Sequence, residues 1–225
     1  MSAAAGDPFV PLLVFAGIGA AIGTGIYLSY ALERRRTAGL ADACLRLGLA
    51  FQPQVPKEQI PTFGTFHLFN LGRGRKGWNL MTGTVDGAAA SLFDYRYTTG
   101  GGKSSHTWTQ TVAVFPAAGA LPEFLLSPEH WWDKIGEFLG HRDINFEASP
   151  EFSQHYLLKG PDEGAIRTAF GAEALGFFAQ HQGWYVEVKG GALAIYRVGH
   201  RPKPEELPAF LAEVGAVRRA VVHDD

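Results

Sequence analysis

The chain has 225 residues, 20 Lys and Arg against 22 Asp and Glu, and a formal charge of −2. That balance, with a pI near 6.4, gives no electrostatic case for a nucleic-acid partner. Cys44 is the only cysteine, which excludes an internal disulfide and fits a reducing compartment.

From Pro8 to Leu32 no side chain is charged, and Glu33-Arg34-Arg35-Arg36 follows at once. Such a run exceeds the ~20 apolar residues that a helix needs to cross a bilayer. The pattern predicts a tail over residues 1–7, a transmembrane helix over 8–32 and a juxtamembrane helix over 33–50. Tyr27 and Tyr30 fall at the headgroup level of that span, and Arg34, Arg35 and Arg36 form its charged border. By the positive-inside rule the arginines stay cytoplasmic, which predicts a C-terminal domain in the cytoplasm and an N-terminus outside. A cleaved signal peptide would carry its charge before the apolar run, not after it.

Gly17-Ile18-Gly19-Ala20-Ala21-Ile22-Gly23 misses the dinucleotide fingerprint, because its third glycine falls one residue late. Ala16, Gly19, Ala20 and Gly23 instead recur at three- and four-residue spacing and strip one helix face of bulk. Such a face lets helices approach closely. The expected partners are therefore the lipid bilayer and other membrane subunits, or a second copy of the chain.

Residues 51–225 read as one α+β domain, or as two halves over 51–126 and 127–225. Leu40, Ala43, Cys44 and Leu47 form an amphipathic stripe. Three prolines mark residues 52–61 as a loop, and residues 63–69 alternate like a strand. Residues 72–77 read as a glycine-flanked basic loop. Its Arg73, Arg75 and Lys76 are candidates for contact with a partner or with anionic headgroups.

Trp78 to Thr84, the turn Asp86-Gly87, Ser91 to Thr99 and Thr107 to Phe115 predict long antiparallel hairpins. Phe93, Tyr95 and Tyr97 would share one face, and Asp94 and Arg96 the other. Gly102-Lys103-Ser104 lacks the earlier glycine and the following helix of a phosphate loop, so Lys103 belongs to a hairpin tip as a further candidate contact. Residues 124–126 predict a strand, and Ser127-Pro128 opens a helix over 131–139. Its Trp131 and Trp132 point in different directions, so one can fill a core while the other reaches a surface.

Short strands are predicted over residues 143–146 and 156–160. Asp162 caps a helix, a second helix follows over 172–181, and a hairpin spans 184–198. Pro204 starts a last helix with Leu207, Phe210, Leu211, Val214 and Val217 on one face. The turn at Val85-Asp86-Gly87-Ala88 is echoed at Val188-Lys189-Gly190-Gly191.

Eight scattered histidines include no pair at metal-binding spacing, and no G-x-S-x-G elbow occurs. No catalytic, cofactor or metal residue is predicted. The stretches Phe93-Asp94-Tyr95-Arg96-Tyr97, Thr109-Gln110-Thr111-Val112-Ala113-Val114-Phe115 and Tyr156-Leu157-Leu158-Lys159-Gly160-Pro161-Asp162-Glu163 resemble a family of bacterial single-pass membrane-anchored proteins without an assigned activity. That resemblance implies architecture and origin, and transfers no functional residue. The expected function is a non-catalytic accessory subunit docked on a larger membrane complex, photosynthetic or respiratory. The alternatives are a lipid- or small-ligand-binding sensor domain and an enzyme with a dispersed site.

Overall fold

A computed structural model describes residues 9–56, 66–129 and 143–222, with side chains of the first helix described from Gly19 onward. The chain divides into two units, residues 1–39 and 40–225. Helix α1 runs unbroken over Phe9–Leu47. Among the described residues no helix is long and apolar enough to cross a membrane, which overturns the transmembrane helix expected over residues 8–32. The charged cluster lies inside one continuous helix and does not border two.

The second unit is built on one eight-stranded sheet in the order β1-β2-β3-β4-β8-β7-β5-β6, every pair antiparallel. Its strands are β1 (Ala50–Gln54), β2 (Arg73–Val85), β3 (Ala88–Thr99), β4 (His106–Phe115), β5 (Phe124–Pro128), β6 (Tyr156–Lys159), β7 (Tyr185–Lys189) and β8 (Ala192–Tyr196). The two echoed turns close the β2–β3 and β7–β8 hairpins, and β4 pairs with β8 to join both hairpins in this sheet. Asp86 (φ 52°) and Gly87 (φ 76°) supply the two left-handed residues of a primed two-residue turn.

Strand alternation gives the sheet two apolar faces. Leu92, Ala113, Phe115, Val186, Val188, Leu193 and Ile195 point to the helical face. There they meet α2 (Pro150–His155), α3 (Glu163–Ala169), α4 (Ala172–Gln180) and α5 (Leu207–Val221), with Phe152, Ile166, Phe178, Phe210 and Val214 buried. Leu40, Ala43 and Cys44 join this core as their spacing predicts, while Leu47 is partly exposed. Burial pushes the Cys44 thiol up to about 11, so it packs as a small apolar residue. On the opposite face Phe93, Tyr95, Tyr97, Val112, Ala194 and Tyr196 pack under Phe66, Leu68 and Phe69.

Several local expectations are corrected. Residues 50–54 are an edge strand despite Pro53, because an edge position tolerates a missing N–H. Leu68–Asn70 is a 3-10 turn where a strand was expected. The basic segment 72–77 belongs to β2 from Arg73 on and is not a loop. Residues 143–146 are irregular although the Ile144 N–H bonds the Leu158 carbonyl at 2.8 Å. The short helix α2 has no counterpart among the expected elements. The Asp162 cap is present, its carboxylate accepting from the Ala165 N–H at 2.9 Å.

Candidate functional site

The most organised polar cluster is built on the long hairpin of β2 and β3. Between Trp78↔Asp94 and Met81↔Leu92 the register slips, so two residues of β2 face one of β3. Asn79 occupies this bulge at φ 54°, a left-handed conformation that asparagine tolerates better than most residues. The bulge turns its side chain toward the fully buried Asp94, to which Nδ2 donates at 2.9 Å. Asp94 also accepts from the Thr111 hydroxyl at 2.8 Å and from the Arg201 guanidinium at 3.0 Å. Arg201 lies over the Trp78 ring, 5.3 Å from its centroid. A buried charge is thus paired and hydrogen-bonded, the condition under which burial is tolerated.

Beyond this network the same hairpin becomes wholly basic. Lys76 is paired with Arg96 and Arg73 with Thr98, and residues directly opposite project from the same face. Arg73, Lys76 and Arg96 therefore share the face of Asp94, and all three are exposed. Arg73 donates to the Gly100 carbonyl and, at 3.2 Å, to the Ser105 hydroxyl, tying the start of β2 to the tip that carries Lys103. Two glycines make that junction possible. At Gly72 (φ +57°) a Cβ would collide with the Thr98 carbonyl, and at Gly100 (φ +72°) with the Ser104 carbonyl. Arg75 is used differently, since its guanidinium donates to the Phe69 carbonyl at 2.7 Å and holds the 3-10 turn.

The structure thus brings Arg73, Lys76 and Lys103 to one end of the sheet and sets Arg75 apart. Arg96 completes the cluster and was missing from the sequence candidates. Its place across from Lys76 depends on a register that the bulges determine, although its alternation with Tyr95 and Tyr97 already put it on the face of Asp94.

On the opposite face, fully buried Glu187 accepts from the His67 N–H at 2.6 Å, the Leu68 N–H at 3.1 Å and the Tyr196 hydroxyl at 2.7 Å. Burial pushes its carboxyl up to about 7, with the hydrogen bonds pulling the other way. Around it, burial also raises the Tyr97, Tyr185 and Tyr196 hydroxyls. The Tyr185 and Tyr196 rings stack at 5.0 Å. This carboxylate fastens the segment at residues 66–71 onto the sheet, a structural task.

A third group lines a cleft of about 390 Å³ formed by Glu129, Asp143, Leu157 and Lys159. Burial raises the Asp143 carboxyl and lowers the Lys159 amine, the perturbation expected of a desolvated acid and base. Among the described residues no group of three His, Cys, Asp or Glu side chains could hold a metal ion.

In the first unit Gly19, Ala20 and Gly23 are exposed, and a Cβ at Gly19 or Gly23 would meet no described atom within 4 Å. Ala16 lies on α1, but its side chain is outside the described set. Tyr27 and Tyr30 are exposed, Arg34 sits 5.8 Å over the Tyr30 ring, and Arg35 and Arg36 continue the helix. Trp131 and Trp132 lie outside the described residues.

Fold and site together define an α+β domain with an eight-stranded antiparallel sheet, a charged end on its longest hairpin, and an exposed helix. No family model, no curated protein and no solved structure matches this chain.

Proposed function

We propose that the chain is a non-catalytic accessory subunit that docks on a larger protein assembly through helix α1. One observation carries this reading. Ile22, Ile26, Tyr27, Leu28, Tyr30 and Leu32 are 53–69% exposed on consecutive turns of one helix. Scattered exposed apolar side chains are ordinary on a protein surface, whereas a contiguous set of this size marks an interaction site. Gly19 and Gly23, one turn apart on the same helix, admit close approach of a partner's backbone. The occupant that fits is an apolar helix of another subunit, which would bury these side chains at ~25 cal/mol per Å².

The test places a photo-crosslinking side chain at position 26 of the full chain in its native cells. A discrete adduct with one protein, lost when Ile22→Asp is added, supports the reading. Adducts with no dominant protein overturn it.

A second reading, binding of a small polar ligand, is favoured by the Asp143–Lys159 cleft alone. A metabolite panel screened by thermal shift, with Lys159→Met as control, tests it.

A further inference from the structure

We propose that the basic end of the β2–β3 hairpin is a docking surface for an acidic segment of a protein partner. This inference stands apart from the α1 reading, because it concerns other residues and another force. Its first support is an arrangement that folding alone disfavours. Lys76 and Arg96 are directly opposite on one face, and like charges so placed destabilise a sheet. Arg73 and Lys103 add two further cations at the same end. None of the four has an ion-pair partner among the described residues. Elsewhere in the domain several arginines are paired with carboxylates. Arg197 pairs with Glu213 at 2.9 Å, Arg167 with Glu163 at 2.7 Å, and Arg219 with Asp86. The unpaired cations at the hairpin end are instead gathered on one end of one sheet face, and such local conflicts concentrate where function requires them.

The geometry points to carboxylates on a protein. Cations on neighbouring strands stand ~5 Å apart, so the cluster matches a few adjacent acidic side chains. Among the described residues no group engages the Arg96 guanidinium, whose fork can hold a carboxylate through two parallel bonds. Trp78 and Arg201 lie one pair along the same face, and tryptophan with arginine is the composition of protein-interface hot spots. A long polyanion would in addition meet the rest of the molecule, whose formal charge is −2. A compact acidic segment meets only the basic end, because charges more than ~10 Å apart are screened at moderate salt.

The test measures fluorescence anisotropy of a labelled poly-L-glutamate peptide against the full chain. A DNA duplex and phosphatidylserine-containing vesicles serve as parallel probes. The wild type is expected to bind the peptide, and raising the salt concentration to weaken it. Lys76→Ala combined with Arg96→Ala is expected to weaken binding by about tenfold, equivalent to ~1.4 kcal/mol. Neither side chain makes a hydrogen bond or ion pair within the described protein, so the double variant keeps its fold, and an unchanged or raised melting temperature checks this. No peptide binding by the wild type, or equal binding by the folded double variant, overturns the proposal. Tighter binding of the duplex or the vesicles than of the peptide at equal salt, through the same two residues, overturns it in favour of that partner.

Discussion

Lys76 stands directly across from Arg96 in the β2–β3 register, two residue pairs beyond Trp78↔Asp94 and next to it on the same face. The buried pair Asp94–Arg201 and this exposed like-charged pair thus lie side by side on one sheet face, and they obey opposite rules. The inner charge is matched and desolvated. The outer charges are unmatched and wet.

From that juxtaposition it follows that Lys76→Glu stabilises the domain. The substitution turns a like-charge cross-strand pair into an opposite-charge one, worth ~0.2–1 kcal/mol. Urea unfolding should give a higher midpoint with an unchanged slope, and the gain should shrink at high salt. A lower midpoint would contradict the register-based account.

Asp94→Ala should be among the most damaging single changes in the hairpin. It leaves Arg201 without its carboxylate and removes the acceptor of Asn79 and Thr111. Breaking one partner of a buried pair costs about 3–5 kcal/mol, reduced here because Arg201 retains some solvent contact. Asp94→Asn keeps the shape and should cost less. Denaturant unfolding of both variants measures the difference.

Glu187 makes stability depend on pH in a stated direction. Its folded carboxyl sits at about 7 against an ordinary 4.5, so the folded state holds the proton more tightly. Its contribution is fully present below the unfolded value and is lost as pH rises through the folded one. Stability should therefore decline from about pH 4.5 to just above 7, by on the order of 3 kcal/mol from this group. Glu187→Gln mimics the protonated form, still able to accept from the His67 and Leu68 N–H groups, and should flatten that decline. A melting-temperature profile against pH for both proteins decides, and parallel profiles would refute the assignment.

Asp162→Ala should cost about 1 kcal/mol through loss of the cap on α3. Amide exchange should quicken first at Ala165, whose N–H the carboxylate holds.

Alternation made β3 and β4 readable from the sequence, since Phe93, Tyr95 and Tyr97 declare a face by themselves. The last helix was equally plain, because Leu207, Phe210, Val214 and Val217 repeat at helical spacing. Other elements were hidden for identifiable reasons. Pro53 masked an edge strand, where the lost N–H is harmless. Gly72 and Gly74 looked like loop residues, yet their positive φ values serve an irregular strand start tied to Thr98. The apolar run from Pro8 suggested a bilayer span, but among the described residues no helix is long and apolar enough to cross a membrane. Arg73, Lys76 and Lys103 were visible as cations, but that Arg96 faces Lys76 depends on bulges set by tertiary packing.

The central claim, that α1 docks on a larger assembly, is tested most directly by the particle mass after gentle native purification from the source cells. The account predicts a discrete species heavier than the 24.4 kDa chain, with a second protein at fixed stoichiometry. Ile22→Asp with Ile26→Asp should reduce that species to the lone chain. Recovery of the wild type itself as a 24.4 kDa monomer would contradict the account.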